Sequence, residues 1–209
     1  MITIWGRNNS INVQKVMWAV GELKLEHKRL DAGGAFGKTK EADYLSMNPN
    51  ALVPTLVEED GFTLWESNSI VRYLSAKYNK AGALEPKELK ARALASQWMD
   101  WQLSVANPAI TPVFWQLIRT PAEQRDHKTI ETHKRKTIEA MAMLDTQLGK
   151  TAYVAGDAFS YGDIPVGCVC NRFVKLIQER PSMPNLDRWF AAISSHQGFK
   201  DHVGSVPLT

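Results

Sequence analysis

Cysteine is scarce in this chain: Cys168 and Cys170 are the only two, and none precedes them. Their spacing sets them about 200° apart around a helix, so they cannot clamp one metal ion from a shared face, and they read as buried small hydrophobes. The five histidines are scattered, with no HExxH or comparable ligand spacing, and neither a GxGxxG nor a Walker loop is present. No metal site is expected. No apolar run approaches the roughly 20 residues of a membrane span. The first residues, "MITIWGRNN", lack a basic region followed by an apolar core, so the expectation is no membrane segment, no secretory signal and a cytoplasmic location.

Charge of one sign is also in short supply. The net charge is +3 and the pI about 8.8, too mild an excess to demand nucleic acid. The densest basic stretch, "RDHKTIETHKRK" from Arg125 to Lys136, carries Asp126 and Glu131 and has no interleaved aromatics; it reads as a solvated helix face. No nucleic-acid partner is expected. With 209 residues, 44% of them hydrophobic and 22% charged, the chain has the composition of a globular protein with one large domain or two small ones.

What is present is a change of pattern along the chain. "ITIW" (Ile2 to Trp5) is a strand candidate ending at Gly6, and Val13, Val16, Met17, Val20 and Leu23 then recur at helical spacing. "HKRLD" (His27 to Asp31) is a second strand candidate followed by a glycine-rich loop. "VPTLVEEDGFTLWES" holds two strand-like runs around Asp60-Gly61, a strong hairpin signal. Ile70, Val71, Leu74 and Tyr78 mark a helix starting after Ser67. The order β-α-β-(α)-β-β-α describes a small sheet with helices. From Pro86 onward no strand pattern stands out except "AYVA". Leu94, Trp98, Trp101 and Val105 repeat as one helical face, as do Ile138, Met141, Leu144 and Leu148, and Leu186, Trp189, Phe190 and Ile193. The fold class is α/β + all-α: a domain over 1–79, a linker over 80–86 and an all-helical domain over 87–209.

Three motifs are more specific than periodicity. In "NPNALVPTL" the pair Val53-Pro54 directly precedes a strand. The general preference of such bonds is trans, and the proline then simply enters the strand; a cis bond would instead present the Val53 N–H and C=O to a peptide-like ligand. In "WESNSI" a strand leads through Glu66-Ser67 into a helix. Ser67 is a natural N-cap, and the same hydroxyl and helix end suit a ligand carboxylate, with Glu66 suited to a ligand ammonium. In "GDAFSYGDIP", Ser160 and Asp163 have capping-box spacing and read as structural.

Taken together, these motifs resemble those of the cytosolic glutathione transferases, over essentially the whole chain. The resemblance implies a thioredoxin-like domain with a mixed four-stranded sheet that binds glutathione, and a C-terminal helical bundle that shapes the pocket of a small apolar electrophile. It also implies a detoxifying role and a homodimer. On that mapping Val53, beside Pro54, pairs with the cysteinyl backbone of glutathione, Glu66 and Ser67 hold its γ-glutamyl end, and the loop from Asn48 to Leu52 reaches its glycyl end. Relatives with a serine-type site often place lysine where this chain has Leu52. Trp101, Val105, Phe114 and Trp115 fall where the family builds the electrophile pocket, although aromatics at helical spacing are also ordinary core residues.

The stretch "NNSINVQKV" then acquires a meaning. In a thioredoxin-like domain the corner between the first strand and first helix is reactive, and with no cysteine there any thiol must come from the ligand. The resemblance places a serine-type catalytic residue at Ser10, while Ser10, Asn12 and Lys15 also resemble the pattern of a bacterial branch with glutathione-dependent disulfide reductase activity. One hydroxyl suffices energetically. Lowering a thiol pKa from about 8.5 to about 6.5 requires roughly 2.7 kcal/mol. A charge-assisted hydrogen bond supplies about 1.5–3 kcal/mol, and a helix N-terminus adds about 0.3–1. Ser10 and Asn12 are both candidate thiolate donors. Helix capping by Ser10 or Asn12 is the competing reading, and a non-catalytic ligand-binding module of the same fold is the competing function.

Overall fold

The computed structural model describes residues 1–79, 82 and 84–209, so Lys80, Ala81 and Ala83 of the expected linker lie outside the described residues. The chain divides into two units: Met1–Glu85 with Gln197–Val206, and Pro86–His196 with Pro207–Thr209.

In the first unit the elements run β1 (Ile2–Trp5), α1 (Ile11–Glu22), β2 (His27–Leu30), α2 (Ala42–Met47), β3 (Thr55–Val57), β4 (Thr63–Trp65) and α3 (Ser67–Tyr78). The sheet order is β2-β1-β3-β4. β1 pairs parallel with β2 and antiparallel with β3, and β3 pairs antiparallel with β4. The sheet is therefore mixed and four-stranded, as the family resemblance implies, and its elements follow the order read from the alternation of patterns. Ile4 and Leu56 sit opposite one another in register, and both are fully buried. The hairpin closes where Asp60-Gly61 predicts it. Gly61 takes the left-handed backbone that glycine adopts without cost (φ +86°), and Asp60 Oδ1 accepts the Phe62 N–H at 3.0 Å.

α1 packs against α3 and is buried over most of its circumference, Gln14 and Lys15 included. Its other neighbour is the helical segment Gln197–Phe199 and Lys200–Gly204. Phe199 meets Trp18 edge-on, with ring centroids 5.1 Å apart. A Cβ at Gly198 would fall 2.8 Å from Trp18 Cδ1 and 2.9 Å from the Trp18 carbonyl oxygen, so only glycine permits this approach. The sequence reading assigned these residues to the second domain, whereas they fold with the first.

The second unit is helical: α4 (Leu89–Trp101), α5 (Asn107–Phe114), α6 (His127–Leu148), α7 (Asp163–Leu176) and α8 (Pro184–Ser194). α7 is its centre, with every residue from Asp163 to Phe173 buried. Cys168 and Cys170 lie there, buried and outside any disulfide. "AYVA" forms no strand; Tyr153 and Gly156 make an isolated bridge. Two π-helical turns, Gln102–Ala106 and Trp115–Arg119, flank α5. Each shifts the helical register by widening the repeat. The face expected at Leu94, Trp98, Trp101 and Val105 is not one buried stripe: Trp98 is buried, Leu94 is exposed although it lies in regular α4, and Val105 is exposed within the π-turn.

Ser160 and Asp163 are structural in geometry. The fully buried Asp163 carboxylate accepts four hydrogen bonds, from Val154 N (3.1 Å), Ser160 N (2.9 Å), Ser160 Oγ (3.2 Å) and Trp189 Nε1 (2.8 Å). It ties the start of α7 to the preceding loop and to α8. Burial pushes its carboxyl up to about 6, against the downward pull of those donors.

Candidate active site

The first unit carries a shallow cleft of about 40 Å³ lined by Asn12, Asn48, Asn50, Leu52, Val53, Pro54, Trp65, Glu66 and Ser67. The residues expected to hold glutathione, and Asn12, are thus brought together from the start of α1, the loop before β3 and the β4–α3 junction. Asn50 and Trp65 were not singled out from the sequence, although each lies within a quoted motif. Ser10 is outside this lining.

The β1–α1 corner closes tightly because Gly6 has no side chain: a Cβ there would sit 2.4 Å from Val13 Cγ2 and 3.2 Å from Val53 Cβ. Ser10 occupies the N-cap position of α1 in extended geometry, yet its hydroxyl makes no cap hydrogen bond; its main chain is used instead, the carbonyl accepting the Gln14 N–H at 2.9 Å and the N–H donating to the Arg7 carbonyl at 3.3 Å. Side-chain capping by Ser10 therefore fails. Its hydroxyl and the Asn12 amide nitrogen have no hydrogen-bond partner among the described residues. Asn12 Oδ1 accepts the Ser67 hydroxyl at 3.4 Å, a long bond that an incoming carboxylate would outcompete.

Ser67 is the first residue of α3, and Glu66 holds the N-cap position before it. The first N–H groups of a helix have no partner within it and attract anions. Glu66 has φ +70° and ψ +108°, a left-handed conformation rare for a residue with a side chain and concentrated at ligand sites. Ala51, in the loop across the cleft, also has positive φ (+55°).

The Val53–Pro54 peptide is cis, which overturns the general trans preference. The Val53 N–H and C=O have no hydrogen-bond partner among the described residues, so a bare strip of main chain faces this part of the cleft. The preceding carbonyl is heavily used: Leu52 O accepts from Tyr44 Oη at 2.6 Å and from Asn48 Nδ2 at 2.9 Å. Asn48, which borders the cleft, is almost wholly buried, and its amide hydrogen-bonds to Leu52, Thr55 and Asn50.

The four residues expected to line an electrophile pocket differ in burial and surroundings. Trp101 packs edge-on against Trp98, centroids 4.9 Å apart, and borders a cavity with Met143, Thr146 and Gln147. Phe114 is buried, with the Arg172 guanidinium 4.0 Å from its ring centroid. Val105 and Trp115 are exposed and lie in the π-helical turns. No cluster of histidine, cysteine and carboxylates able to hold a metal ion occurs among the described residues.

Comparison with known proteins bears on the same elements. Residues 9–77 match the family described as glutathione S-transferase, N-terminal domain, and residues 106–197 match glutathione S-transferase, C-terminal domain. Glutathione S-transferase GstB of Escherichia coli is 38% identical over 210 residues, covering 100% of both chains. Glutathione S-transferase 3 of Zea mays is 26% identical, covering 99% of this chain and 95% of its own. The crystal structure of the theta class glutathione S-transferase from Xanthomonas axonopodis pv. citri with glutathione bound superposes with a TM-score of 0.93 at 39% identity, covering 100% of this chain and 99% of that one. The cleft-forming motifs, both matched domains and full-length similarity agree: this chain belongs to the glutathione S-transferase family.

Proposed function

We propose that the protein is a glutathione transferase that ionises the glutathione thiol and directs the thiolate at a small apolar electrophile. The observation that carries this is the convergence, in one cleft, of the unpaired Val53 main chain, the Glu66-Ser67 start of α3 and Asn12. The glutathione cysteinyl backbone pairs with Val53 in the manner of an added strand. Its γ-glutamyl carboxylate takes the Ser67 hydroxyl and the α3 amino end, and its ammonium faces Glu66. The Ser10 hydroxyl, left unused by the helix cap, and the Asn12 amide donate to the sulfur. The thiol proton passes to solvent, the sulfur electron pair forms the new bond to carbon, and in a substitution the leaving group departs with its own electron pair. Two donors at a helix N-terminus supply the preference for thiolate without a general base.

In the helical unit, the exposed apolar side chains of Val105 and Trp115 remain the candidates for electrophile contact. We assign the protein a cytoplasmic, detoxifying role as a homodimer, a reading that rests on the family resemblance; light scattering of the purified chain tests the assembly.

Ser67→Ala tests the binding scheme. Losing a charge-assisted hydrogen bond of about 1.5–3 kcal/mol is expected to weaken glutathione binding by about 10- to 100-fold in isothermal titration, with conjugation of an activated aryl chloride falling in step at subsaturating glutathione. Wild-type protein that binds glutathione and reduces a small disulfide without conjugating the aryl chloride would replace the transferase with a disulfide reductase. Binding with neither reaction would leave a ligand-binding module.

A further inference from the structure

The loop that presents Val53 has no regular structure of its own, so something must fix its orientation. The answer lies beneath it. Tyr44, Asn48 and Thr55 are all at most 3% exposed and form one hydrogen-bonded ring under Leu52. Asn48 Nδ2 reaches Leu52 O at 2.9 Å and Thr55 Oγ1 at 3.0 Å. The Tyr44 and Thr55 hydroxyl oxygens are 2.9 Å apart, and Tyr44 Oη is 2.6 Å from Leu52 O. A tyrosine hydroxyl has one hydrogen. If it goes to Leu52 O, then Thr55 donates to Tyr44 and Asn48 donates to Thr55. The ring is directional and ends on the Leu52 carbonyl. Asn48 Oδ1 completes it by accepting Asn50 N and Asn50 Nδ2, both at 3.1 Å. Every hydrogen-bonding position of the Asn48 amide is filled by protein.

The consequence follows from peptide geometry. The Leu52–Val53 bond is trans, Val53–Pro54 being the cis bond found among the described residues. In a trans peptide the C=O and the following N–H point in opposite directions. A Leu52 carbonyl held inward by two buried donors therefore turns the Val53 N–H outward. We propose that Tyr44, Asn48 and Thr55 are positioning residues for glutathione binding: they touch no ligand atom, and they aim the Val53 N–H through the Leu52 carbonyl. The inference rests on the glutathione-binding reading above and adds the residues that orient its main-chain contact. Burial raises the Tyr44 phenol above its ordinary value despite hydrogen bonds with Thr55 and Asn48, so the hydroxyl keeps its proton through the neutral range and beyond.

Tyr44→Phe removes the donor and keeps the ring. The expected result is a rise of about tenfold in the glutathione dissociation constant and a matching rise in KM, with kcat at saturating glutathione within about twofold of wild type. In amide NMR, the downfield shift of the Val53 N–H on adding glutathione is expected to shrink. Thr55→Val, which cuts the ring at its middle, should act in the same direction, whereas Thr55→Ser, which keeps the hydroxyl, should restore affinity; this pair decides the matter if Tyr44→Phe does not fold. Tyr78→Phe, which removes a hydroxyl bonded to Glu58, should leave affinity and the Val53 signal unchanged. Wild-type affinity and an unchanged Val53 response in Tyr44→Phe and Thr55→Val would overturn the positioning role while leaving glutathione binding intact. A wild-type protein that bound no glutathione would overturn both readings.

Discussion

Glu66 shows what a single residue gives up for position. Its φ of +70° places a side-chain-bearing residue where glycine is at ease, at a typical cost of about 1–3 kcal/mol. The compensation proposed here is an acidic group set beside the start of α3, where a ligand ammonium would lie. Stability and binding should therefore separate on mutation. Glu66→Gly relieves the backbone but carries the entropic penalty of glycine, about 0.5–1 kcal/mol, and it deletes the carboxylate. Unfolding experiments are expected to show stability unchanged or raised by up to about 2.5 kcal/mol, while titration calorimetry shows glutathione affinity lowered. A variant that is markedly less stable would mean that the Glu66 side chain has a structural duty the cleft geometry does not reveal. Ser10 is the complementary case. Its type and position suggested a cap, and only the three-dimensional arrangement shows the hydroxyl unused by the helix it begins.

At the scale of elements, two buried carboxylates pin helices, and they respond to pH with opposite sign. Glu58, near the β3–β4 hairpin, accepts from Lys77 and Tyr78 on α3. Burial acts to raise its carboxyl, but hydrogen bonds from Lys77, Tyr73 and Tyr78 and the Lys77 charge outweigh it and hold the group below its ordinary value. A carboxylate depressed in the folded state contributes stability that is present above its unfolded pKa and is lost as pH falls through the folded one. Asp163 at the start of α7 is raised from 3.8 to about 6, so between those values the native state holds more proton than the unfolded chain, and its contribution declines as pH rises through that window. Denaturant midpoints measured from about pH 3 to pH 7 check this. Relative to wild type, Glu58→Gln should lose part of the acid-side fall, and Asp163→Asn should lose the decline between about pH 4 and pH 6 while being less stable throughout, because four donors face a poorer acceptor. Parallel pH curves for wild type and both variants would remove these carboxylates from the pH response.

Over the whole molecule, the order of elements in the sheet-bearing unit was legible because each has a local signature: alternating apolar runs for strands, 3.6-residue repeats for α1 and α3, and Asp60-Gly61 for the hairpin. The cleft was legible through "NPNALVPTL" and "WESNSI", since the ligand-facing residues lie next to a proline or a helix start. What escaped has physical reasons. The π-helical turn after α4 alters the repeat on which Val105 was aligned with Trp98 and Trp101. The return of Gln197–Val206 to the first unit depends on Gly198 and Phe199 fitting Trp18, a contact made across more than half the chain. Asn48 stands in the loop expected to bind, and the supporting role proposed for it rests on four amide hydrogen bonds, to Asn50, Leu52 and Thr55, that only the folded chain brings together.

The β1–α1 corner is proposed to make a thiolate of a bound thiol, in a unit with no cysteine of its own; Cys168 and Cys170 lie buried in α7 of the helical unit. The most direct measurement is the ultraviolet absorbance of bound glutathione thiolate against pH, in wild type, Ser10→Ala and Asn12→Ala. Ionisation is expected about two pH units below the free thiol value of about 8.5 in wild type, with the midpoint moving back toward that value in one or both variants. Glutathione bound by the wild-type protein with its thiol still titrating near 8.5 would contradict it.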